Sequence, residues 1–270
     1  LRRIVLQKTI STMEAKQFKI VEYAPKLTFL QDLEVLKAMW FGKIDGQEHQ
    51  EVLESFYVHQ AHLYDGYRHR MLHGRKPMVS NIPFSPGAVW VDMGGGTGSN
   101  VEYFRECLDS FDKIVVVDLT PSLVAVAEER VKRNGWEDRV KVLQGDATDP
   151  LLPGLPAAGT ADIVTFSYAL SMIPDWRSAL ANAARLLKPG GRICVCDFTV
   201  DTERQWRVMR YFWTKLFASD HVHLSEEHLK ELRSKFVEEK YEIGYGTFPY
   251  VPPLLKCPYY YFIGRKARQS

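Results

Sequence analysis

The sequence predicts an α/β domain in which β-strands alternate with helices around an open, mainly parallel sheet. Three observations carry that expectation. Short β-branched runs recur: Val89-Trp90-Val91, Ile114 to Val117, Val140 to Leu143 and Ile163 to Phe166. Helix-spaced apolar residues lie between them, as in Val101, Phe104 and Leu108. The first strand runs straight into a glycine cluster, Gly94-Gly95-Gly96-Thr97-Gly98, where a backbone without Cβ can turn sharply and lie against a ligand.

Taken in order, residues 1–24 read as a basic arm that Pro25 ends. Leu30, Leu33, Leu36 and Trp40 then give a helical stripe between Leu27 and Phe41, fit for the core or for docking on a companion domain or a membrane. These residues, 1–50, form an N-terminal helical extension, and residues 51–270 form the main domain. A single long helix is expected from Glu48 to His73, with Tyr64, Tyr67 and Met71 on one face, Arg68 and Arg75 flanking it, and Gly74 as its end. Pro77, Pro83 and Pro86 lead into the first strand. Thr120-Pro121 starts a helix with a capping hydroxyl and proline in the first turn, and Asn134-Gly135 ends it. Strands follow at Val140–Gln144 and Ile163–Phe166. A helix buries Trp176, Leu180, Ala183 and Leu187, and Arg192 to Phe198 is a fifth strand. A helix with an apolar face of Trp206, Met209, Trp213 and Leu216 comes next, then one with Leu229, Leu232 and Phe236 inward. Two last strands surround Tyr241–Tyr245 and Tyr259–Ile263.

The glycine loop sits between an apolar strand and a helix whose N-terminus offers unpaired N–H groups. Asp118 ends the second strand about 20 residues beyond the last glycine, the place for a carboxylate that accepts both hydroxyls of a ribose. The chain therefore reads as a nucleoside binder. The dinucleotide pattern fails at Ser99, where glycine or alanine is needed, which makes a nicotinamide oxidoreductase the weakest reading. The phosphate loop fails for want of its lysine.

Asp92-x-Gly94-x-Gly96-x-Gly98 after a strand, with Asp118 in register and Leu187-Lys188-Pro189-Gly190-Gly191 before the fifth strand, resembles the class I S-adenosylmethionine (SAM) methyltransferases. The resemblance implies a Rossmann-like seven-stranded sheet with helices on both faces, closed by an antiparallel hairpin. It implies SAM as cofactor and S-adenosylhomocysteine as its product. Asp92, Gly94, Gly96, Gly98, Asp118 and Leu119 would hold it, with Asp146 accepting from adenine N6 and Ala147 and Ser167 beside it. The segment before the first strand would fold over the cofactor, with Arg68 or Arg75 clamping the methionine carboxylate and Tyr64 near the sulfonium. Tyr64, Tyr168 and His221 are the candidate catalytic residues. Tyr64, Tyr67, Tyr168, Trp213 and Tyr250 would supply aromatic faces for a cationic product. His221 or His223 would take an amine proton or bind a carboxylate.

Three blocks sharpen the resemblance: Tyr64-Asp65-x-Tyr67-Arg68-x-x-Met71-Leu72-x-Gly74-Arg75, the Val91–Gly98 loop, and Trp213-x-x-Leu216-Phe217-Ala218-x-Asp220-x-Val222-x-Leu224. Together they are similar to the methyltransferase half of betaine lipid synthases, from about Phe56 onward. That implies three N-methylations of the homoserine amine of a diacylglyceryl-homoserine lipid. It also implies a companion domain transferring the aminocarboxypropyl group, in the same polypeptide or complex, and a peripheral place on the cytoplasmic face of the endoplasmic reticulum. Leu1 in place of methionine fits a piece of a longer polypeptide. Two alternatives remain open: a methyltransferase on a quinone, sterol or soluble small amine, and a non-catalytic SAM-binding module.

Composition bounds the rest. The 270 residues are 46% hydrophobic with a net charge of +2, which supplies ample core and gives no argument for nucleic acid. No apolar run reaches the roughly 20 residues that span a bilayer, and no signal-peptide pattern is present. Four cysteines lack zinc spacing, and Cys194 and Cys196 alternate on a strand, so they face one side and pack as small apolar groups in a reducing compartment. His69 and His73, four apart, and the His221-x-His223 pair come without the carboxylates of a metal site, and no metal is expected.

Overall fold

The computed structural model describes residues 27–41, 46–218 and 222–268. Its centre is a seven-stranded sheet, and the strands form where β-branched runs lie: β1 (Ala88–Met93), β2 (Phe111–Asp118), β3 (Val140–Gln144), β4 (Ala161–Ser167), β5 (Leu187–Phe198), β6 (Val237–Gly246) and β7 (Cys257–Arg265). Their order is β3-β2-β1-β4-β5-β7-β6. The first five are parallel, whereas β7 is antiparallel to both β5 and β6. The order reverses between β1 and β4. In an open α/β sheet that reversal opens a crevice beyond the carboxyl ends of the strands, where ligands bind.

Helices cover both faces. α1 (Phe29–Phe41), α2 (His49–Tyr57), α3 (Tyr64–Arg68) and α4 (Arg75–Ser80) precede the sheet. A 3-10 helix (Ser99–Ser110) follows β1, and α5 (Pro121–Asn134), α6 (Trp176–Leu186), α7 (Arg207–Ala218) and α8 (Glu227–Lys235) complete the layers. Val91, Met93, Val164 and Phe166 pack on one face of the sheet with Leu180 and Leu186 of α6. Trp90, Phe104, Phe111 and Ile114 fill the other with Cys194 and Cys196, which share one side as expected. The Trp90 indole N–H donates to Thr165 Oγ1 at 2.8 Å, so the largest ring in that layer buries no orphaned polar atom.

Several expected elements differ. The long helix from Glu48 to His73 is broken into α2, a run of turns, and α3. The buried Gln60 side chain donates to the Phe56 carbonyl at 2.8 Å, satisfying a group that the continuing helix would have used. Gly74 ends no long helix. It precedes α4 in the left-handed region, φ +84°, where a Cβ would meet the Tyr259 ring at 2.6 Å. Pro77 lies within the first turn of α4, where its missing N–H costs nothing. Thr120 precedes α5 without a side-chain cap, because its hydroxyl is spent on Asp118.

α1 buries Asp32 and Val35 and exposes Leu30. Its rotation follows from Asp32, which accepts from Arg70 Nη1 at 2.9 Å and from the Tyr250 hydroxyl at 2.5 Å. The side chain of Trp40 lies outside the described residues. α7 buries Trp213 and Phe217 with Met209 alongside, an i, i+4, i+8 face, and leaves Trp206 and Leu216 exposed. Among the described residues no helix is long and apolar enough to cross a membrane.

Candidate active site

The carboxyl ends of β1, β2, β3 and β4 open into one cleft of about 240 Å³. Its walls include Gly94 and Gly96 after β1, Asp118 and Leu119 after β2, Asp146 and Ala147 after β3, and Ser167 and Tyr168 ending β4. Tyr64 and Arg75 reach it from the segment before the sheet. Ten of the predicted site residues therefore meet in one place.

The loop after β1 is left-handed at Gly94, Gly96 and Gly98. At Gly94 the reason is also steric, since a Cβ there would lie 2.5 Å from that of Ala169, closing the gap between the two loops. Asp118 Oδ2 accepts the Gly96 N–H at 2.8 Å, and Oδ1 accepts the Thr120 N–H at 2.9 Å. Burial pushes its carboxyl above the ordinary value, and these N–H donors pull it back. The carboxylate lines the cleft wall, where its oxygens are placed to meet a ligand's hydroxyls. Arg75 Nη1 donates to Ser99 Oγ at 3.1 Å, while its Nε and the Ser167 Oγ are buried without partners.

The remaining predicted residues stand elsewhere. Asp92 does not line the cleft. It shares the strand face of Trp90, is fully buried beneath the loop, and accepts from Thr165 Oγ1 and from Asn100 Nδ2. Burial pushes its carboxyl up to about 6. Gly98 is absent from the lining and instead begins the 3-10 helix. Arg68 lines a separate, smaller cavity with Phe56, Tyr57, Ser171, Phe198 and Phe217. Tyr67, Trp213 and Tyr250 line neither space. Tyr67 and Trp213 pack in the core, and Tyr250 is exposed and bonded to Asp32. His221 lies outside the described residues. His223 is exposed, and its backbone N–H donates to Ser171 O at 2.8 Å. Among the described residues no group of three His, Cys, Asp or Glu side chains converges on a metal position.

The cleft and the smaller cavity share Tyr57, Tyr64, Leu72, Tyr168 and Met172. Burial raises all three phenols above their ordinary value, so they stay neutral at neutral pH. Tyr168 holds a left-handed backbone, φ +57°, and donates its hydroxyl to the His73 carbonyl. Strain of that kind persists where the surroundings over-determine a residue.

Sequence reasoning missed three supports. Tyr57 lies within a helix pattern that gave no sign of which face meets the cleft. Asp197, next to last in β5, accepts from the Ser171 hydroxyl at 2.7 Å and its N–H at 2.9 Å, and so fixes the turn that carries Ala169 and Met172. Burial pushes its carboxyl up to about 6. Arg130 of α5 donates Nε to Thr97 O at 2.8 Å and Nη1 to Glu102 at 3.1 Å, and pairs with Asp65, which also accepts from the Thr97 hydroxyl at 2.7 Å. It ties α3 to the glycine loop.

Comparison with known proteins defines the class. Residues 91–195 match the methyltransferase domain family. A ubiquinone/menaquinone biosynthesis C-methyltransferase of Francisella philomiragia is 27% identical over 59% of this chain and 64% of its own. Its counterpart in Vibrio parahaemolyticus is 31% identical over 42% of each chain. The chain thus spans less than two thirds of the length of these relatives. Among solved structures, Haemonchus contortus phosphoethanolamine N-methyltransferase 2 aligns with a TM-score of 0.62 at 15% identity, over 83% of this chain and 61% of that one. The YcgJ protein of Bacillus subtilis aligns with 0.58 at 19%, over 73% and 99%. Residues 91–195 thus resemble a methyltransferase domain, carried on a seven-stranded Rossmann-like sheet of the kind these solved structures share. SAM would fit the cleft: Asp118 and Asp146 line it with carboxylates, and Arg75 keeps a buried Nε without a partner.

Three outcomes follow. Asp118→Ala is expected to weaken S-adenosylhomocysteine binding by about 30-fold or more in calorimetric titration, the loss of two charge-assisted bonds. An undiminished affinity would remove Asp118 from the site. Arg130→Met leaves the half-buried Asp65 without its cation and Glu102 with Arg105 alone, and is expected to cost about 3 kcal/mol in urea unfolding. Asp92 keeps its proton to about pH 6 when folded, against an ordinary 3.8. The folded chain thus holds a proton that the unfolded chain releases between pH 4 and 6, and stability falls as pH rises through that window. Relative to Asp92→Asn, the wild type should lose on the order of 3 kcal/mol from pH 4 to pH 7. A difference flat with pH would refute the assignment.

Proposed function

We propose that this methyltransferase acts on the amine of a lipid-linked amino acid, the diacylglyceryl-homoserine class, and carries it to the quaternary ammonium of a betaine lipid. The observation behind this reading is the wall shared by the cleft and the smaller cavity. Its five residues include three neutral tyrosines and no carboxylate or imidazole. A neutral amine brings its own lone pair and needs no strong base in contact, only a site that disfavours its protonated form. The methylated product gains a fixed positive charge, which aromatic faces attract. The cofactor supplies an activated methyl group. The chain's part is to hold the acceptor in line with it, exclude water and receive the charge.

The lipid part of the proposal draws on α7. Phe217 on one side of this helix walls the smaller cavity. The adjoining side exposes Val208, Phe212 and Leu216, four residues apart, with Tyr211 beside them. Trp206, 83% exposed, precedes the helix, and Leu254, 89% exposed, projects from the neighbouring loop, which holds the Trp213 indole through Lys256 O. Arg204, Arg207 and Lys215 are exposed around them. An aromatic stripe edged by cations suits a helix resting at a lipid headgroup surface. On this reading the protein is peripheral to an internal membrane, and a companion domain that transfers an aminocarboxypropyl group supplies its acceptor.

The quinone C-methyltransferase relatives favour a second reading, ring methylation of a reduced prenyl quinone. The same fold carries both chemistries, so the choice rests on the site. Ring methylation removes a proton from carbon, and the shared wall offers no base for it. Purified protein supplied with labelled SAM should methylate diacylglyceryl-homoserine in mixed micelles, adding up to three methyl groups, and should leave a prenyl quinol untouched. Label in the quinol and none in the lipid would replace the first reading by the second.

A further inference from the structure

The smaller cavity contains a buried cation without an anion. Arg68 is 8% exposed, and its Nε and Nη2 have neither solvent nor a hydrogen-bond partner. Among the described residues no carboxylate pairs with it. Its guanidinium carbon lies 5.3 Å from the centre of the Tyr64 ring and 5.7 Å from that of Phe56. Those rings hold the charge but accept none of its N–H groups in a fork. A guanidinium placed so costs free energy unless something accepts from it, and a planar carboxylate is the acceptor that its geometry matches. The cavity holds about 20 Å³, room for one water-sized polar group such as a carboxylate oxygen on Arg68 and too little for an acyl chain.

For the cofactor's own carboxylate the cleft offers a different arginine. Arg75 lines the main cleft beside the glycine loop, bonded to Ser99 and with its Nε still unpaired. Arg68 lines the smaller cavity and not the main cleft. The two arginines thus face two spaces across one wall of tyrosines. We infer that Arg68 is the specificity residue for the acceptor: it binds the α-carboxylate of an amino-acid headgroup in the smaller cavity and so brings the α-amine to the shared wall.

This inference rests on the proposed amino-acid acceptor and adds a consequence for its chemistry. In a free amino acid the carboxylate stabilises the neighbouring ammonium. Pairing it with Arg68 cancels that stabilisation and favours the neutral amine that attacks. Arg68 is a positioning and specificity residue. It transfers no proton.

The test uses the full chain saturated with S-adenosylhomocysteine and two soluble probes, O-methylhomoserine and its carboxamide. Wild type should bind the acid at least about 30-fold more tightly than the amide, the preference of a buried charged pair. Arg68→Gln should abolish the preference and Arg68→Lys should keep part of it. Both variants should hold S-adenosylhomocysteine within about twofold of wild type, which also reports that they fold. Equal binding of acid and amide by wild type, or no measurable binding of the acid, overturns the inference. So does an Arg68→Gln protein that loses S-adenosylhomocysteine and keeps the preference, since Arg68 would then serve the cofactor. Turnover of the lipid separates this from the broader reading. A preference that depends on Arg68, with no methylation of diacylglyceryl-homoserine, sinks the lipid substrate alone. Methylation of that lipid and of its carboxamide analogue at equal rates sinks the carboxylate site alone.

Discussion

One buried arginine joins the parts of the site that the sheet does not. Arg130 belongs to α5, far along the chain from α3 and from the glycine loop, yet it bonds to Thr97 and pairs with Asp65 and Glu102. The sheet and its loops alone would make an open shelf. Arg130 fastens the segment before the sheet across that shelf, so Tyr64 and Arg75 become walls of a cleft. The desolvation cost of burying its charge is offset by two carboxylates and a carbonyl, and Asp65 becomes a liability if the cation is removed. The same bonds fix the Thr97 peptide within the loop that must lie against the cofactor. Stability and ligand binding are therefore coupled at one side chain.

The arrangement that results is two spaces divided by aromatic side chains. The larger is built by strand ends, a property of the architecture that many unrelated reactions share. The smaller is built by α2, α3 and α7 together with Phe198 at the end of β5. Asp197 serves the boundary from below, holding the turn with Ala169 and Met172 by accepting from Ser171.

The sheet and the glycine loop were legible because they depend on local signals: β-branched runs, glycines after a strand, and an aspartate at the next strand end. Asp92 shows where such reading stops. It occupies the acidic place that opens the motif, but alternation along β1 puts it on the face of Trp90, where Thr165 and Asn100 use its oxygens. Asp118, with the same chemistry, ends its strand in the cleft. The break between α2 and α3 was not legible, because it depends on a Gln60 side chain turning back on the Phe56 carbonyl. The roles of Arg68 and Arg75 could not be divided from sequence either. Both carry the same group, seven positions apart, and only the turns between α3 and α4 decide which space each one enters. The rotation of α1 likewise answers to Arg70 and Tyr250, residues distant in sequence.

The placement of β7 bears on how the sheet is completed. This last strand lies inside the sheet, between β5 and β6. β6 therefore has no partner in β5, and without β7 the edge of β5 that carries Cys194 and Cys196 stands open. Pairings of this kind close late and slowly, because distant segments must meet before any hydrogen bond rewards them. Until then the half-sheet offers an unprotected strand edge to neighbouring chains. Docking of β7 on β5 covers that edge and completes the sheet.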